Sequence, residues 1–191
     1  MSYLAKKYES LLGLTGFSDQ LLKNHFTLYE GYVTNANKLA DDLAASEKQG
    51  WIGTPGYAEM KRRFGWEFNG MRLHELYFEN MVKGGSAPSK EISAAIEKNF
   101  GSFQSWEKDF RSTAAMRGIG WVVLYRDAEA DRLFNVWINE HDVGHFAGCK
   151  PVLVLDVFEH AYMLDYGIKR ADYIEAFMKV IDWGTAENRL V

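Results

Sequence analysis

Residues 151–160, which read PVLVLDVFEH, place an apolar run directly before a carboxylate and a histidine. The run has the length and composition of a buried strand. The four-residue spacing from Asp156 to His160 predicts that both side chains lie on one face of a helix that begins near Asp156. A carboxylate among buried apolar residues is costly unless it is paired or bound to a metal. The stretch therefore indicates two ligands of a metal site that takes further ligands from elsewhere.

Two upstream histidines are candidates for those further ligands. His25 lies on the apolar stripe of a helix predicted over residues 18–46, with Ser18 as its N-cap. His74 lies on the apolar stripe of a second helix, which begins at Pro55 and extends to about Lys83. A single histidine on such a face is more often a hydrogen-bonded core residue than a ligand.

Taken together, the four candidates change that balance. Three imidazoles and one carboxylate leave a divalent or trivalent ion with excess positive charge, which can attract and polarise a small anion. The residues alone thus predict a mononuclear redox metal site.

Composition limits the class of protein. The chain has 191 residues, of which 47% are hydrophobic and 15% aromatic, and a net charge of −4 without a run of Lys and Arg. We therefore expect a folded domain that binds neither nucleic acid nor a membrane surface. No apolar stretch reaches the ~18–20 residues of a transmembrane helix, and the N-terminus lacks a secretory apolar region. A single cysteine, Cys149, excludes an intramolecular disulfide and a multi-thiolate site, so a cytoplasmic location is expected.

The segment GGSAP at residues 84–88 is the predicted boundary between two halves. We expect an N-terminal helical-hairpin domain at 1–84 and a C-terminal α/β domain at 85–191. The second contains predicted helices at 89–99 and 103–116, strands at 121–125, 133–138 and 151–155, and a helical tail at about 171–189. The fold class is α+β, an antiparallel helical hairpin followed by an α/β half with a three-stranded antiparallel sheet.

Several motifs in order along the chain resemble the iron/manganese superoxide dismutase family. They are YVTNAN at 32–37, His74 ahead of Tyr77 and Phe78, FGSF at 100–103, GIGW at 118–121, and DVFEHAY at 156–162, with Asp165, Tyr166 and Trp183 beyond. The last motif resembles the family signature D-x-[WF]-E-H-A-[FY] and is the most specific. The resemblance covers nearly the whole chain. It implies one iron or manganese ion per subunit, bound by His25, His74, Asp156 and His160.

The resemblance also assigns roles to side chains around the ligands. Tyr32 matches the tyrosine that guards the substrate entrance, and Trp121 and Phe158 match aromatic residues that wall the metal. Glu159 matches the glutamate that reaches across a dimer interface to the partner's last histidine ligand. Without the resemblance, these would be core aromatic residues and an exposed helix residue. It therefore implies a homodimer, with a tetramer as the alternative.

The donor that tunes the metal's solvent ligand differs within the family. Many iron-type members supply a glutamine from the second helix, where this chain has Gly70. Manganese-type members supply one from beyond the second strand, where His141 stands. A histidine there resembles a subgroup that includes cambialistic enzymes, which work with either metal. The alternative is an exposed loop histidine. His145 has no matching role, and we interpret it as structural.

Two departures from the family lie near the substrate entrance. The usual spacing from first ligand to gateway tyrosine is eight residues, often with a histidine pair between; here it is seven, from His25 to Tyr32. An ungapped alignment would put Asn24 at the ligand position, so we infer a deletion. A regular helix holds a seven-residue spacing on one face, whereas eight would need a π-bulge. The second departure is Met163, where a tyrosine is common.

The implied activity is a superoxide dismutase that converts superoxide to dioxygen and hydrogen peroxide and so acts as an antioxidant. Arg170 is the matching candidate for drawing in the anion, with a solvated surface arginine as the alternative. One rival is a non-catalytic, dismutase-like metal-binding or structural protein. Another is a hydrolase that uses a Lewis-acid metal, although the chain offers no obvious general base beside Asp156 and His160.

Overall fold

The N-terminal half is a hairpin of two long helices. The computed structural model describes residues 2–190. Helix α1 spans Asp19–Lys48 and helix α2 spans Pro55–Glu79. The two helices pack along each other and supply the N-terminal side of the molecule. The predicted hairpin is confirmed.

Both helices begin where their caps predict. The hydroxyl oxygen of Ser18 accepts a hydrogen bond from the amide of Leu21 at 3.1 Å, and Thr54 caps α2 in the same way. Helix α1 is continuous α-helix from end to end, without a π-bulge. The seven-residue spacing from His25 to Tyr32 is therefore two regular turns, as expected, and both side chains are buried on the same face.

The C-terminal half combines helices with one sheet. Its elements are α3 Lys90–Phe100, α4 Phe103–Ala114, β1 Gly120–Asp127, β2 Arg132–Asn139, β3 Lys150–Asp156, α5 Met163–Tyr166, α6 Arg170–Met178 and α7 Trp183–Leu190. Short 3₁₀ turns lie at Glu9–Leu11 and Glu159–Ala161. The sheet has strand order β2-β1-β3 and both pairings are antiparallel. The α+β class and the three-stranded sheet are confirmed.

The central strand β1 sets the position of the site. Its first six residues are buried, and its pairing with β3 places Trp121 opposite Asp156. An aromatic side chain and the carboxylate at the end of β3 thus lie at the same end of the sheet. Helix α2 packs against β3, which brings the helical hairpin to that end.

Helix α2 ends at Glu79, earlier than the predicted limit near Lys83. The cause is Asn80, which is fully buried. Its carboxamide accepts from the amide of Val154 at 2.9 Å and donates to the carbonyl of Val154 at 3.1 Å. These bonds attach the end of α2 to the backbone of β3. The helix ends before Asn80 because the position of this side chain is fixed by β3.

The predicted helical tail is two helices rather than one. Between α6 and α7 the backbone pairs with the segment after α2: the carbonyl of Val180 accepts from the amide of Val82 at 2.8 Å, and Ile181 pairs with Met81. Asp182 then accepts from the amide of Gly184 at 3.1 Å and so begins α7. The domain boundary near residues 84 and 85 stays a prediction. No helix within residues 2–190 is long and apolar enough to span a membrane.

Candidate metal centre

Four side chains from four elements converge between the hairpin and the sheet. They are His25 on α1, His74 on α2, Asp156 at the end of β3 and His160 in the following 3₁₀ turn. Each offers one ligand atom, and these atoms all lie within 4.8 Å of one another. The Nε2 atoms of His25, His74 and His160 lie 3.2, 3.7 and 3.2 Å from Oδ2 of Asp156. The structure thus brings together all four predicted ligands.

The prediction that Asp156 and His160 share one helix is wrong. Asp156 is the last residue of β3, and the 3₁₀ turn begins only at Glu159. The amide of Phe158 donates to Oδ1 of Asp156 at 2.8 Å, which turns the chain back toward the carboxylate. This bond leaves Oδ2 to face the three imidazoles. A strand end followed by a tight turn therefore places the two side chains together, as one turn of helix would have done.

The tautomer of His74 is fixed by the backbone. Its Nδ1 lies 2.6 Å from the carbonyl oxygen of Gly70, and a carbonyl only accepts, so Nδ1 carries the proton and donates it. Nε2 therefore presents a lone pair toward the cluster. That atom is buried and has no hydrogen-bond partner among the described residues. An unpartnered buried nitrogen is costly, and a bound cation would remove the cost.

The charge state of the cluster also suits a cation. Burial lowers the pKa of His25 and lowers that of His74 well below the ordinary value, which keeps both imidazoles neutral. Burial by itself would raise the pKa of Asp156, but His160 and His25 beside the carboxyl hold it well below its usual range. Metal ligands have to be deprotonated. Asp156 therefore supplies a negative charge, and His25 and His74 supply neutral nitrogens.

The donor set fits an iron or manganese ion. Imidazole nitrogen is a good ligand for iron, carboxylate oxygen suits manganese, and no thiolate is present among the four. Asp156 is further held by the hydroxyl of Tyr173, which donates to its main-chain carbonyl at 2.7 Å. Such outer contacts orient ligands for a metal.

A hydrogen-bonded chain of three side chains borders the cluster. Nε1 of Trp121 donates to Nδ1 of His141 at 3.0 Å, and Nε2 of His141 lies 2.8 Å from the hydroxyl oxygen of Tyr32. Burial lowers the pKa of His141 to about 4, so the imidazole is neutral near pH 7. Since Nδ1 accepts from Trp121, the single proton lies on Nε2 and is donated to Tyr32. His141 is fully buried, which excludes the alternative of an exposed loop histidine.

Comparison with known proteins identifies the group to which this arrangement belongs. Residues 88–189 match the C-terminal domain of iron/manganese superoxide dismutases. A superoxide dismutase [Fe] of Saccharolobus solfataricus is 39% identical over 168 residues, which cover 85% of this chain and 79% of that protein. A superoxide dismutase [Mn] of Haloarcula marismortui is 38% identical over 171 residues, covering 88% and 83%. The chain belongs to the iron/manganese superoxide dismutase family.

A third relative is similar over a still larger share of the chain. The superoxide dismutase [Fe] of Cupriavidus metallidurans is 37% identical over 181 residues, which cover 92% of this chain and 89% of that protein. Relatives named for iron and for manganese thus match this dismutase-family chain at similar identity.

Two aromatic rings lie beside the cluster of this family member. The ring of Trp121 lies 5.0 Å from that of His74, edge to face. The ring of Phe158 stacks on His141 at 4.8 Å and on His160 at 5.3 Å. His160 is the least buried member of the cluster, with 30% of its side chain accessible. Phe158 therefore covers the side on which the cluster is most open.

Trp66 is a further residue beside the cluster and was not among the predicted site residues. Its ring lies 4.5 Å from that of His141 and 5.5 Å from that of Tyr32. It stands eight residues before His74 on α2, which is close to two helical turns. That spacing was a usable signal, because residues separated by two turns share a helix face.

Gly70 is required by the position of Tyr32. A Cβ at Gly70 would lie 2.5 Å from Cδ1 of Tyr32 and 2.7 Å from Cε1. No side chain fits there while the tyrosine keeps its position. In this superoxide dismutase family member, the space beside His74 is therefore filled by the Tyr32 ring, which stacks on His74 at 5.1 Å.

The remaining predicted residues lie outside the cluster. Glu159 is exposed and 45% of Met163 is accessible. Arg170 donates to the carbonyls of Met116 and Gly118, both at 2.7 Å, so it is neither a free surface arginine nor part of the cluster.

His145 is connected to His141 through the backbone. Its Nε2 lies 2.8 Å from the carbonyl oxygen of His141, and its Nδ1 lies 2.6 Å from the hydroxyl of Tyr125. The carbonyl can only accept, so Nε2 is the donor in that hydrogen bond. The interpretation of His145 as a structural residue agrees with these contacts, which hold the loop that carries His141.

Proposed function

We propose that this chain is a superoxide dismutase that uses one iron or manganese ion bound by His25, His74, Asp156 and His160. The observation that carries the proposal is the convergence of three Nε2 atoms and one carboxylate oxygen within 4.8 Å. The unpartnered Nε2 of His74 supports it further, because that buried lone pair lies beside the other three ligand atoms, where a bound cation would satisfy it.

The reaction consumes two superoxide anions and two protons and yields one dioxygen and one hydrogen peroxide. One superoxide is oxidised and the other reduced, so electrons balance. An iron or manganese ion would supply the one-electron redox couple that this exchange requires. The protein has to supply the ligands, a route for the anion and a place to hold protons.

Tyr32 and His141 are the residues proposed to hold those protons. Trp121 fixes the tautomer in which His141 donates to the Tyr32 oxygen. The hydroxyl proton of Tyr32 is then free for another acceptor on the side of the cluster. Tyr32 is only slightly accessible to solvent, which suits a group that passes protons between bulk water and a buried site.

His141 takes the part for which other family members use a glutamine. Outer hydrogen-bond donors decide which oxidation state of a metal is preferred, and a histidine there resembles that of enzymes that work with either metal. We therefore propose that the chain is cambialistic. Gly70 supports the assignment of His141 as that donor, because the Tyr32 ring leaves no room for a side chain at position 70 of α2.

The deciding experiment is metal analysis of the purified protein, followed by superoxide-consumption assays on separately prepared iron and manganese forms. We expect one metal ion per chain and activity in both forms. A zinc form is the control: it should bind the same ligands and be inactive, because zinc has no accessible redox change. Bound metal without activity in either the iron or the manganese form would favour the non-catalytic alternative.

Assembly and location are further parts of the proposal. The exposed Glu159 stands directly before the proposed ligand His160 and four residues before the exposed Met163, which supports a homodimer in which Glu159 reaches the partner's site. A cytoplasmic location, with removal of superoxide as an antioxidant role, is proposed from the single cysteine. Two domains divided near residue 84 remain the proposed organisation.

A further inference from the structure

A cleft of about 200 Å³ opens between α1 and α2 and is lined in part by Tyr32, Arg63, Trp66 and Glu67. Trp66 touches both Tyr32 and His141. A small solute that enters this cleft therefore meets the hydroxyl-bearing ring proposed to guard the metal. A side chain that receives an anionic substrate is therefore expected to line this cleft.

Arg63 is held rigidly at this cleft. Its Nε and Nη2 contact Oε1 of Glu67 at 2.9 and 2.8 Å. Its guanidinium carbon lies 4.0 Å from the centroid of the Trp66 ring. An arginine stacked on an aromatic face and paired along one edge loses little further entropy when it binds an anion. The Nη1 corner remains outside the ion pair.

The ion pair of Arg63 and Glu67 has no net charge, but its positive end faces solvent and its negative end faces the protein interior. The Glu67 side chain is only 3% accessible, whereas that of Arg63 is 47% accessible. An approaching anion therefore meets the positive charge first, with the carboxylate behind it. Asn35 donates to the other oxygen of Glu67 at 3.4 Å, which helps to keep that carboxylate in the protein.

The positive charge of Arg63 affects the pKa of Tyr32. Burial raises the pKa of Tyr32, and nearby carboxylates, of which Asp156 has the largest effect, raise it further. Arg63 is a positive charge that opposes them. Arg170, the arginine favoured by sequence position, is instead engaged with two main-chain carbonyls.

We propose that Arg63, clamped by Glu67 and Trp66, is the residue that recruits the superoxide anion to the Tyr32 cleft. This inference rests on the proposed dismutase function. Arg63 acts on small monovalent anions through its exposed charge, so azide should share the site with the substrate. At separations of a few ångströms in water, one charge changes the local anion concentration about two- to fivefold.

The test compares Arg63→Gln with Arg62→Gln at low and high ionic strength. Arg62 is the neighbouring residue, is well exposed and pairs with Glu59, so both substitutions change the net charge equally. We expect Arg63→Gln to lower kcat/KM about two- to fivefold at low salt, with the deficit lost near 1 M salt, where the Debye length is about 3 Å. Arg62→Gln should leave kcat/KM unchanged, and Arg63→Lys should recover most of the loss.

A second readout does not depend on turnover. Azide binding to the iron form, followed by its absorption spectrum, should weaken by a similar factor in Arg63→Gln and stay unchanged in Arg62→Gln. Equal effects of the two substitutions, on azide binding or on kcat/KM, would overturn the proposal and assign steering to net charge. If the wild-type protein has no dismutase activity but azide still binds more weakly to Arg63→Gln than to Arg62→Gln, only the dismutase function is refuted.

Arg63→Gln alone leaves the buried Glu67 carboxylate without its ion-pair partner and could therefore misfold. The double variant Arg63→Gln/Glu67→Gln avoids this problem, because it leaves no unpaired carboxylate in the interior. It also separates two explanations. If the exposed cation matters, the double variant keeps the deficit of the single one. If only the summed charge of the cleft matters, the double variant matches wild type, and the proposal fails.

Discussion

The ring of Tyr32 lies so close to Gly70 that a Cβ at that position would stand 2.5 Å from Cδ1 of the tyrosine. The same ring stacks on His74, and its hydroxyl bonds to His141. A change at a residue without a side chain would therefore be transmitted to a proposed metal ligand and to the proposed proton donor. The absence of a side chain at Gly70 is part of the site.

Gly70→Ala should displace Tyr32 and lower both stability and activity. Forcing a methyl group into a packed interior costs about 1–3 kcal/mol, which outweighs the gain of about 0.5–1 kcal/mol from replacing a helical glycine, and the shifted ring loses its bond to His141. Gly65→Ala on the same helix is the matched control, because a Cβ there meets no atom within 4 Å. That change should stabilise the protein by about 0.5–1 kcal/mol. Urea unfolding and superoxide-consumption rates measure both; equal behaviour of the two variants would contradict the packing argument.

Trp121→Phe should impair activity, because it removes the hydrogen bond that holds the proton of His141 on Nε2. Without the indole donor, Nδ1 of His141 can take the proton, and Nε2 would then accept from Tyr32 instead of donating to it. We expect a loss of about 10-fold in activity, at the low end of the range for partners of metal ligands, because His141 is not itself a proposed ligand. Trp106→Phe is the control, since Trp106 is equally buried and its Nε1 donates to Asn135 at 3.1 Å, away from the cluster. Comparable losses of stability but unequal losses of kcat are expected; an active Trp121→Phe enzyme would remove the tautomer argument.

Much of the site could be predicted because each ligand carries a local signal. His25 and His74 interrupt apolar helical stripes, and Asp156 ends an apolar strand, so each is a polar group placed where burial is expected. The fold class followed from the same periodicities. The connection from Asp156 to His160 could not be predicted, because a spacing of four residues fits a helical turn and also a strand end followed by a 3₁₀ turn.

The features that were missed depend on contacts between distant segments. Helix α2 ends at Glu79 because Asn80 bonds to the backbone of Val154, 74 residues later. The break between α6 and α7 depends on pairing with the segment after α2. His145 was interpreted as structural, but its two partners could not be named from sequence. No local pattern contains that information.

His145→Ala should weaken the function of His141 without removing the metal. His145 connects the main-chain carbonyl of His141 to the hydroxyl of Tyr125 on β1, so its loss frees the loop. We expect kcat to fall severalfold and the iron-to-manganese activity ratio to shift, with metal content unchanged. In Tyr125→Phe, His145 keeps its hydrogen bond to the carbonyl of His141, so this substitution should have a smaller effect. An unaltered activity ratio in His145→Ala would show that the loop holds His141 by other contacts.

Glu159→Ala should weaken the proposed dimer. The side chain is exposed in the isolated chain, so its removal costs no internal contact, and a loss of assembly would come from the interface. Sedimentation at a series of protein concentrations should show more monomer in this variant than in wild type. Glu129→Ala, in the turn between β1 and β2, is the control and should sediment as wild type does. Unchanged sedimentation of Glu159→Ala would exclude this residue from the interface.

Removal of the metal should lower the melting temperature, and His74→Leu should abolish that response. At a free metal concentration about 100-fold above Kd, binding stabilises the folded state by about 2.7 kcal/mol, which is about 5–11 °C for a chain of this size. In the metal-free protein, Nε2 of His74 is buried without a partner among the described residues, whereas leucine brings no such penalty. Metal-free His74→Leu should therefore melt at or above the temperature of metal-free wild type, although it binds no metal. Scanning calorimetry of wild type and of His74→Leu, each with and without chelator, measures these melting temperatures. If metal-free His74→Leu melts well below metal-free wild type, His74 stabilises the fold independently of the metal.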